Sequence, residues 1–423
     1  MKTPEPKGGT GAGVVLLLLL LAYIFNFLDR QIVSILKIPI KAELGLSDTQ
    51  LGLMGGIAFA SVYSTLAIPI ARHADRTGRR AKVIGISAVI WSLFTALCGL
   101  VTSFGQLFVA RMGVGIGEAG GVAPSYALIA ENFPPQRRAR ALAVFSLGIP
   151  IGSALGLLFG GWIAEAIDWR TAFVAIGLAG LPIGWLIASK IPSTPTANHA
   201  GDAFNAPTFM SVAGELARIP SFWLLSFGAA SASIGGYGLG FWLPSYFSEV
   251  LKLSLGSIGT FLGSLVLIGG IAGIFLGGAV ADRLGGSRPA AYAATPAIAF
   301  LLTAPLYATA MSVDSRRLAW ALFALSYALS LAWLGPIINA VQSLVAPPRR
   351  ATASASFLLI NNLIGLGFGT FIFGYMADLL RPAYGDAAMR YSILYGLGFY
   401  LVAAILCGFA AMRLTRDAKT LSD

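Results

Sequence analysis

Apolar stretches of about twenty residues recur from one end of the chain to the other, separated by short polar segments. A helix needs about that length to cross a hydrocarbon core of roughly 30 Å. The pattern predicts spans at about 14–38, 49–71, 82–102, 104–131, 139–165 and 170–190. It predicts six more at about 219–250, 256–281, 289–312, 317–345, 352–378 and 391–413. The expected fold class is an all-α membrane protein of twelve transmembrane helices. The opening run follows Lys2 and Lys7 as a secretory signal does, but it is too long for one and no small-residue cleavage site ends it.

Composition supports this class. Hydrophobic residues make up 57% of the chain and charged residues 11%, against about 25% charged in a soluble domain. The mean hydropathy is +0.78. Lys and Arg placement sets an expected orientation. With the N-terminus inside, the inside segments carry clusters such as Arg76–Arg79–Arg80, Arg137–Arg138–Arg140 and Arg349–Arg350, while Lys37, Lys41, Arg170, Lys252 and a few others fall outside. Both termini are then cytoplasmic. The net charge of +11 reflects this bias and the anionic headgroups such a surface meets, and no nucleic-acid partner is expected. Two cysteines, Cys98 and Cys407, and two histidines provide no metal or cofactor site. No nucleophile–base constellation appears, so an enzyme is not expected.

One long polar connection, IPSTPTANHAGDAFNAPTFMSVAGEL from Ile191, divides the chain. The expected organisation is a six-helix half over 1–190, a cytoplasmic linker over 191–218, and a second half with a short tail over 219–423. The halves share a repeat. A-D-R-x-G occurs at Asp75 and again at Asp282, and PPQRRARA from Pro134 aligns with PPRRATAS from Pro347. Basic residues collecting in inside loops account for the Arg content but not for the Asp and Gly at fixed spacing. Asp75, Arg76, Arg79, Arg80, Asp282, Arg283 and Glu131 are therefore candidates for a cytoplasmic gate whose contacts break during transport. The alternative is a cluster that serves orientation only. Glu131 is expected to pair with Arg137, Arg138 or Arg140.

Four ionisable residues lie well inside spans, all in the first half: Asp29, Arg30, Arg111 and Glu118. A charge at mid-membrane costs about 2.5–3.5 kcal/mol on insertion scales, so it needs partners or a water-filled cavity. A rise of about 1.5 Å per residue puts Asp29 and Arg30 about 4–6 Å outside the midplane, Glu118 near it and Arg111 about 9 Å outside it. All four share one slab of the membrane. Arg111 and Glu118 sit on one face of the fourth helix, too far apart along it to bond directly, so the expected pairs are Asp29 with Arg111 and Glu118 with Arg30. A carboxylate held between desolvation and an arginine can change protonation as the cavity opens to each side. Arginine keeps its charge and remains to bind an anionic headgroup. Asp29 and Glu118 are thus the candidate proton-coupling groups, and Arg30, Arg111 and Asn26 the candidate substrate contacts. The alternative is a fixed ion-pair network tying two helices together. Asn361 and Asn362 either line the cavity or bond neighbouring helices.

The residues also carry a resemblance. ARHADRTGRR from Ala71 resembles the G-x-x-x-D-R-x-G-R-R loop of the major facilitator superfamily, with Ala71 in place of Gly; GAVADRLGGSR from Gly278 departs at Gly286 and Ser287. Arg111, Gly115 and Gly117 match the superfamily's R-x-x-x-G-x-G in the fourth helix, and GIPIGSALGLLFGG from Gly148 resembles its hinge helix. FNFLDRQIV and the G-E-A at Gly117 narrow this to the spinster branch, with Phe27 where that branch carries Tyr. The resemblance implies two pseudo-symmetric six-helix halves, alternating access, and proton-coupled transport of a lysophospholipid or sphingosine-1-phosphate. It implies that Asp29 and Glu118 are the protonated groups and Arg30 and Arg111 the headgroup or coupling residues. A charged first half facing an uncharged second half suits an amphipathic, anionic substrate. The runners-up are an organic-anion or sugar-acid symporter and a multidrug exporter. A bacterial inner membrane and a monomer are expected, with protons and membrane lipids as the other partners.

Overall fold

The computed structural model describes residues 11–192, 214–285, 289–346 and 349–419. Most of the linker, and the side chain of Asp282, lie outside the described residues. No strand occurs among those described. Nine helical stretches there are long and apolar enough to cross a bilayer, and the last, Thr352–Asp417, makes two passes. The helix Pro220–Glu249 and the broken pair over 104–132 bring the passes to twelve.

We number the passes in chain order. α1 is Ala12–Leu44, α2 Asp48–Thr77, α3 Arg80–Cys98, α4 residues 104–132, α5 Gln136–Ala166 and α6 Trp169–Lys190. α7 is Pro220–Glu249, α8 Leu255–Gly285, α9 Ala291–Ala310, α10 Arg316–Ser343, α11 residues 350–384 and α12 residues 388–419. Local chemistry sets the ends. Ser47 and Gln50 form a capping box at the start of α2, and Ser103, Asp168 and Ser315 accept backbone N–H bonds at the starts of α4, α6 and α10. Gly45, at φ 63°, closes α1 in the left-handed conformation that favours glycine.

α1 is longer than its apolar pattern suggests. Pro39 does not end it, and it carries Lys37 and Lys41 inside the helix. Both lie toward the end opposite the termini, but inside the helix, and Lys37 is fully buried. Its stem lies among apolar residues, and its ammonium finds a carbonyl and two aromatic faces, as described below.

Ser221 at the start of α7 donates to Asp417 near the end of α12, and Lys37 and Lys41 of α1 meet Phe241 and Glu249 of α7 in the same order. α1 and α7 therefore run in the same direction, and both described termini lie at one end of the bundle. We call the opposite end the far end. Many large apolar side chains, among them Leu17, Leu97, Trp185, Leu276 and Ile405, face outward. In water such a surface would drive aggregation; in a bilayer it is the lipid-facing coat.

The halves meet mainly along two seams. α5 packs antiparallel on α8, and the far half of α2 packs on α11. The second seam depends on Gly52: a Cβ there would stand 2.6 Å from the Thr370 carbonyl oxygen. The Thr370 hydroxyl donates to the Gly52 carbonyl at 2.8 Å, and Trp242 of α7 donates to the Thr370 carbonyl at 2.7 Å. α2, α11 and α7 are thus pinned together across the halves.

Candidate functional site: a charged cluster beside a two-sided cavity

Glycine brings the charged cluster together. At Gly117 a Cβ would stand 2.4 Å from the Trp91 backbone nitrogen, so only glycine lets α4 lie this close to α3. α4 then breaks at residues 119–121, directly after Glu118. This seats the Glu118 carboxylate, fully buried, against α1, where it accepts from Arg30 Nε at 2.6 Å. The Arg30 guanidinium lies over the rings of Phe27, Phe59 and Tyr63, with its central carbon 5.1, 4.7 and 4.8 Å from their centroids. Such faces hold a cation where water is scarce.

Of the two expected pairs, the Glu118–Arg30 pair is present and the Asp29–Arg111 pair is not. Asp29 accepts from the Thr95 hydroxyl of α3 at 3.0 Å, and its other oxygen is buried without a hydrogen-bond partner. Arg111, 2% exposed, leans on Phe59 at 5.7 Å, and its Nε and one Nη have no partner. Asp29 turns toward α3 because a hydroxyl stands within reach there.

Beside the cluster lies a cavity of about 230 Å³ between the halves. Its first-half wall includes Arg30, Gln31 and Arg111 beside Phe27 and Phe59; its second-half wall carries no charge and is largely aromatic and apolar, with Tyr237, Phe241 and Trp333, interspersed with the hydroxyls of Ser233, Ser330 and Thr370. Both arginines line it. Asp29 and Glu118 are not among its lining residues and lie behind the arginines. Asn26, expected as a cavity contact, faces instead a separate space of about 10 Å³ with Tyr23, Trp91 and Ser125. Asn361 bonds a neighbouring helix, accepting from Ser233 of α7 at 2.9 Å.

At the terminus end, among the described residues, one cluster lies within the first half and one ion pair ties the second half to the linker. Arg80 bridges Asp75 at 2.8 Å and also Glu131, while Arg349 pairs with Glu215. The expected partnership of Glu131 with Arg137, Arg138 or Arg140 is corrected, since Arg80 occupies it. Arg76, Arg79 and Arg283 are exposed.

Sequence reasoning missed the ionic cluster at the far end. Asp48, fully buried, takes Lys41 of its own half at 2.5 Å and Arg381 of the other. Lys41 and Arg381 also reach Glu249, at 3.3 and 3.6 Å. Asp378 of α11 caps α2 across the seam, accepting from the backbone N–H and hydroxyl of Thr49 at 2.7 and 2.6 Å. Trp162 donates to Thr260 at 3.1 Å, and Glu165 accepts from the Gly256 N–H, so the α5–α8 seam is tied as well. The S-D-T-Q capping signal was readable. That its Asp also receives a cation from 333 residues away was not.

Two six-pass halves, seamed at one end around a buried charge cluster and a shared cavity, define a membrane carrier. Residues 19–370 match the Major Facilitator Superfamily model, and the chain belongs to that family of transporters. It is 37% identical over 93% of its length to an "MFS-type efflux pump" of Mycolicibacterium smegmatis, covering 91% of that protein. It is 29% identical over 86% of its length to a "Probable L-galactonate transporter" of Escherichia coli, covering 82% of it. Among solved structures it matches a bacterial homologue of the human lysosomal transporter spinster, in an inward-facing and unoccupied conformation. That match has a TM-score of 0.85 and 29% identity and covers 98% of this chain and 99% of that one. The spinster-type resemblance thus extends over the whole fold.

Proposed function

We propose that the protein is a proton-coupled secondary transporter that moves an amphipathic, anionic, lipid-like substrate by alternating access. Arg111 carries this reading: a buried guanidinium with unpartnered N–H donors on the charged wall of a cavity whose facing wall is uncharged and largely aromatic and apolar. An anionic headgroup satisfies those donors, and an acyl chain lies along the second half. Arg30 is the second headgroup contact, released when Glu118 takes up a proton. Asp29 is the second proton site, and Asn26 supports the cluster from behind. The gate role of Asp75, Arg76, Arg79, Arg80, Asp282, Arg283 and Glu131 belongs to the same reading. So do cytoplasmic termini, a monomer, and residence in a bacterial inner membrane among its lipids. The linker divides two domains that rock against each other.

The relatives offer a second reading, with an efflux pump and a sugar-acid transporter among them. One experiment separates the two. The purified protein is placed in liposomes with a pH dye and given lysophospholipid, sphingosine-1-phosphate or a sugar acid, alongside Asp29→Asn and Glu118→Gln. Proton flux evoked by the lipids and lost in both variants supports the proposal. Flux evoked only by the sugar acid moves the protein to the organic-anion class. Unchanged flux in both variants makes the four charges structural and sinks the mechanism.

A further inference from the structure

Lys37 is a fully buried cation that no step above uses. Its ammonium donates one hydrogen bond, to the Ser34 carbonyl at 2.7 Å. It sits 4.9 Å from the Phe241 ring centre and 5.0 Å from that of Trp242, both on α7 of the opposite half. No carboxylate pairs with it among the described residues: the acids of this region, Asp48 and Glu249, are held by Lys41 and Arg381. At contact distance its ammonium meets one carbonyl dipole and two π faces, while Asp48 and Glu249 act on it only from farther off; the two π faces belong to the half that must move away.

Position gives this cation a use. Arg30, Lys37 and Lys41 lie at intervals of seven and four residues on one face of α1, about 10.5 and 6 Å apart along the axis. They form a cationic row from the cavity to the far end. Phe241 is the partition in that row: one ring both lines the cavity and covers the Lys37 ammonium. Parting α1 from α7 strips both rings from Lys37. It then stands in the opened cleft with one hydrogen bond and no carboxylate at bonding distance among the described residues, and such an ammonium attracts an anion strongly where water is sparse.

We propose that Lys37 is a second anion subsite, shut behind Phe241 and Trp242 while the far end is closed. The substrate's anionic group rests there as it passes between the cavity arginines and the far end. The proposal rests on the anionic-substrate reading above.

The test uses the full chain in proteoliposomes, with lysophosphatidylglycerol as the anionic probe and lysophosphatidylcholine as the zwitterionic one. Lys37→Met should lower the ratio of anionic to zwitterionic flux about tenfold, the scale of one charged hydrogen bond, and Lys37→Arg should restore it. An unchanged ratio overturns the proposal, whether both fluxes fall together, as for a mere clasp between halves, or neither does. A second measurement is independent of transport. Phe241→Ala joins Lys37 to the cavity, so the purified variant should bind lysophosphatidylglycerol about tenfold more tightly than the parent, and adding Lys37→Met should cancel the gain. If the parent moves neither lipid, the lipid-transport reading fails and the binding arm alone decides: no gain in Phe241→Ala, or a gain that survives Lys37→Met, refutes the subsite.

Discussion

Replacing Asp48 by asparagine should loosen the far end without unfolding the chain. Asparagine keeps the side-chain shape and leaves the Asp48 backbone N–H on Asp378, but it removes the charge shared by Lys41 and Arg381. Breaking a fully buried pair costs about 3–5 kcal/mol, and an exposed one less than about 1. Here the carboxylate is fully buried while Lys41 and Arg381 are 25% and 35% exposed, so solvent screening brings the expected loss to about 1–3 kcal/mol. Because Arg381 belongs to the other half, most of that loss falls on the closed state. The ratio of open to closed molecules should rise roughly 5- to 150-fold. Spin labels at Ala42 and Ala383, both exposed near the far end of opposite halves, report the change as a second, longer distance population. A distance distribution identical to the parent's, in protein that remains folded, would refute the argument that this cluster holds the halves together. Moderate salt should push the parent in the same direction, since its partners are partly exposed.

Other predictions follow from the same contacts. Arg111→Ala should weaken binding of an anionic lysolipid about tenfold, measured by calorimetry in detergent, while Arg111→Lys recovers only part because it lacks the planar donor pair. Exchanging Arg30 and Glu118 should restore folding lost in either single charge variant, read by thermal melting; if Arg30→Gln melts like the parent, the pair is not a buried dependency. Gly117→Val should lower the melting temperature and the expression yield sharply, because its Cβ meets the Trp91 backbone 2.4 Å away. Asp168, outside the spans, has a carboxyl held below its usual range by the Thr171 backbone N–H at 2.6 Å. The stability it contributes is present above the unfolded pKa of about 3.9 and is lost as pH falls through the lower folded value. Asp168→Asn should therefore flatten the melting profile in that acid range.

The fold was largely legible because each pass is written in one local stretch of apolar residues. The capping signals at Ser47, Ser103, Asp168 and Ser315 lie beside the elements they start. The arginines of the cavity were legible for a related reason: charge inside an apolar run stands out wherever the fold places it. Pairing was less accessible. Thr95 is an unremarkable residue of α3, and nothing local says that Asp29 will choose it over Arg111. Lys37 and Asp48 were hidden for the opposite reason. At a span end a charge looks topogenic, and only long-range packing reveals that both are fully buried against the other half.

On the proposed proton coupling, the charge cluster at the cavity also bears on which gradient would power transport. Asp29, Arg30, Arg111 and Glu118 carry formal charges that cancel when all are ionised. A monoanion bound there leaves the loaded site at minus one, and each charge moved through the membrane field is worth about 2.3 kcal/mol per 100 mV. One proton taken up by Glu118 or Asp29 returns the loaded site to neutrality. A carrier built this way answers to the pH difference and ignores the voltage: a potassium diffusion potential should leave its flux of monoanion unchanged, while a dianionic cargo should make the same protein electrogenic.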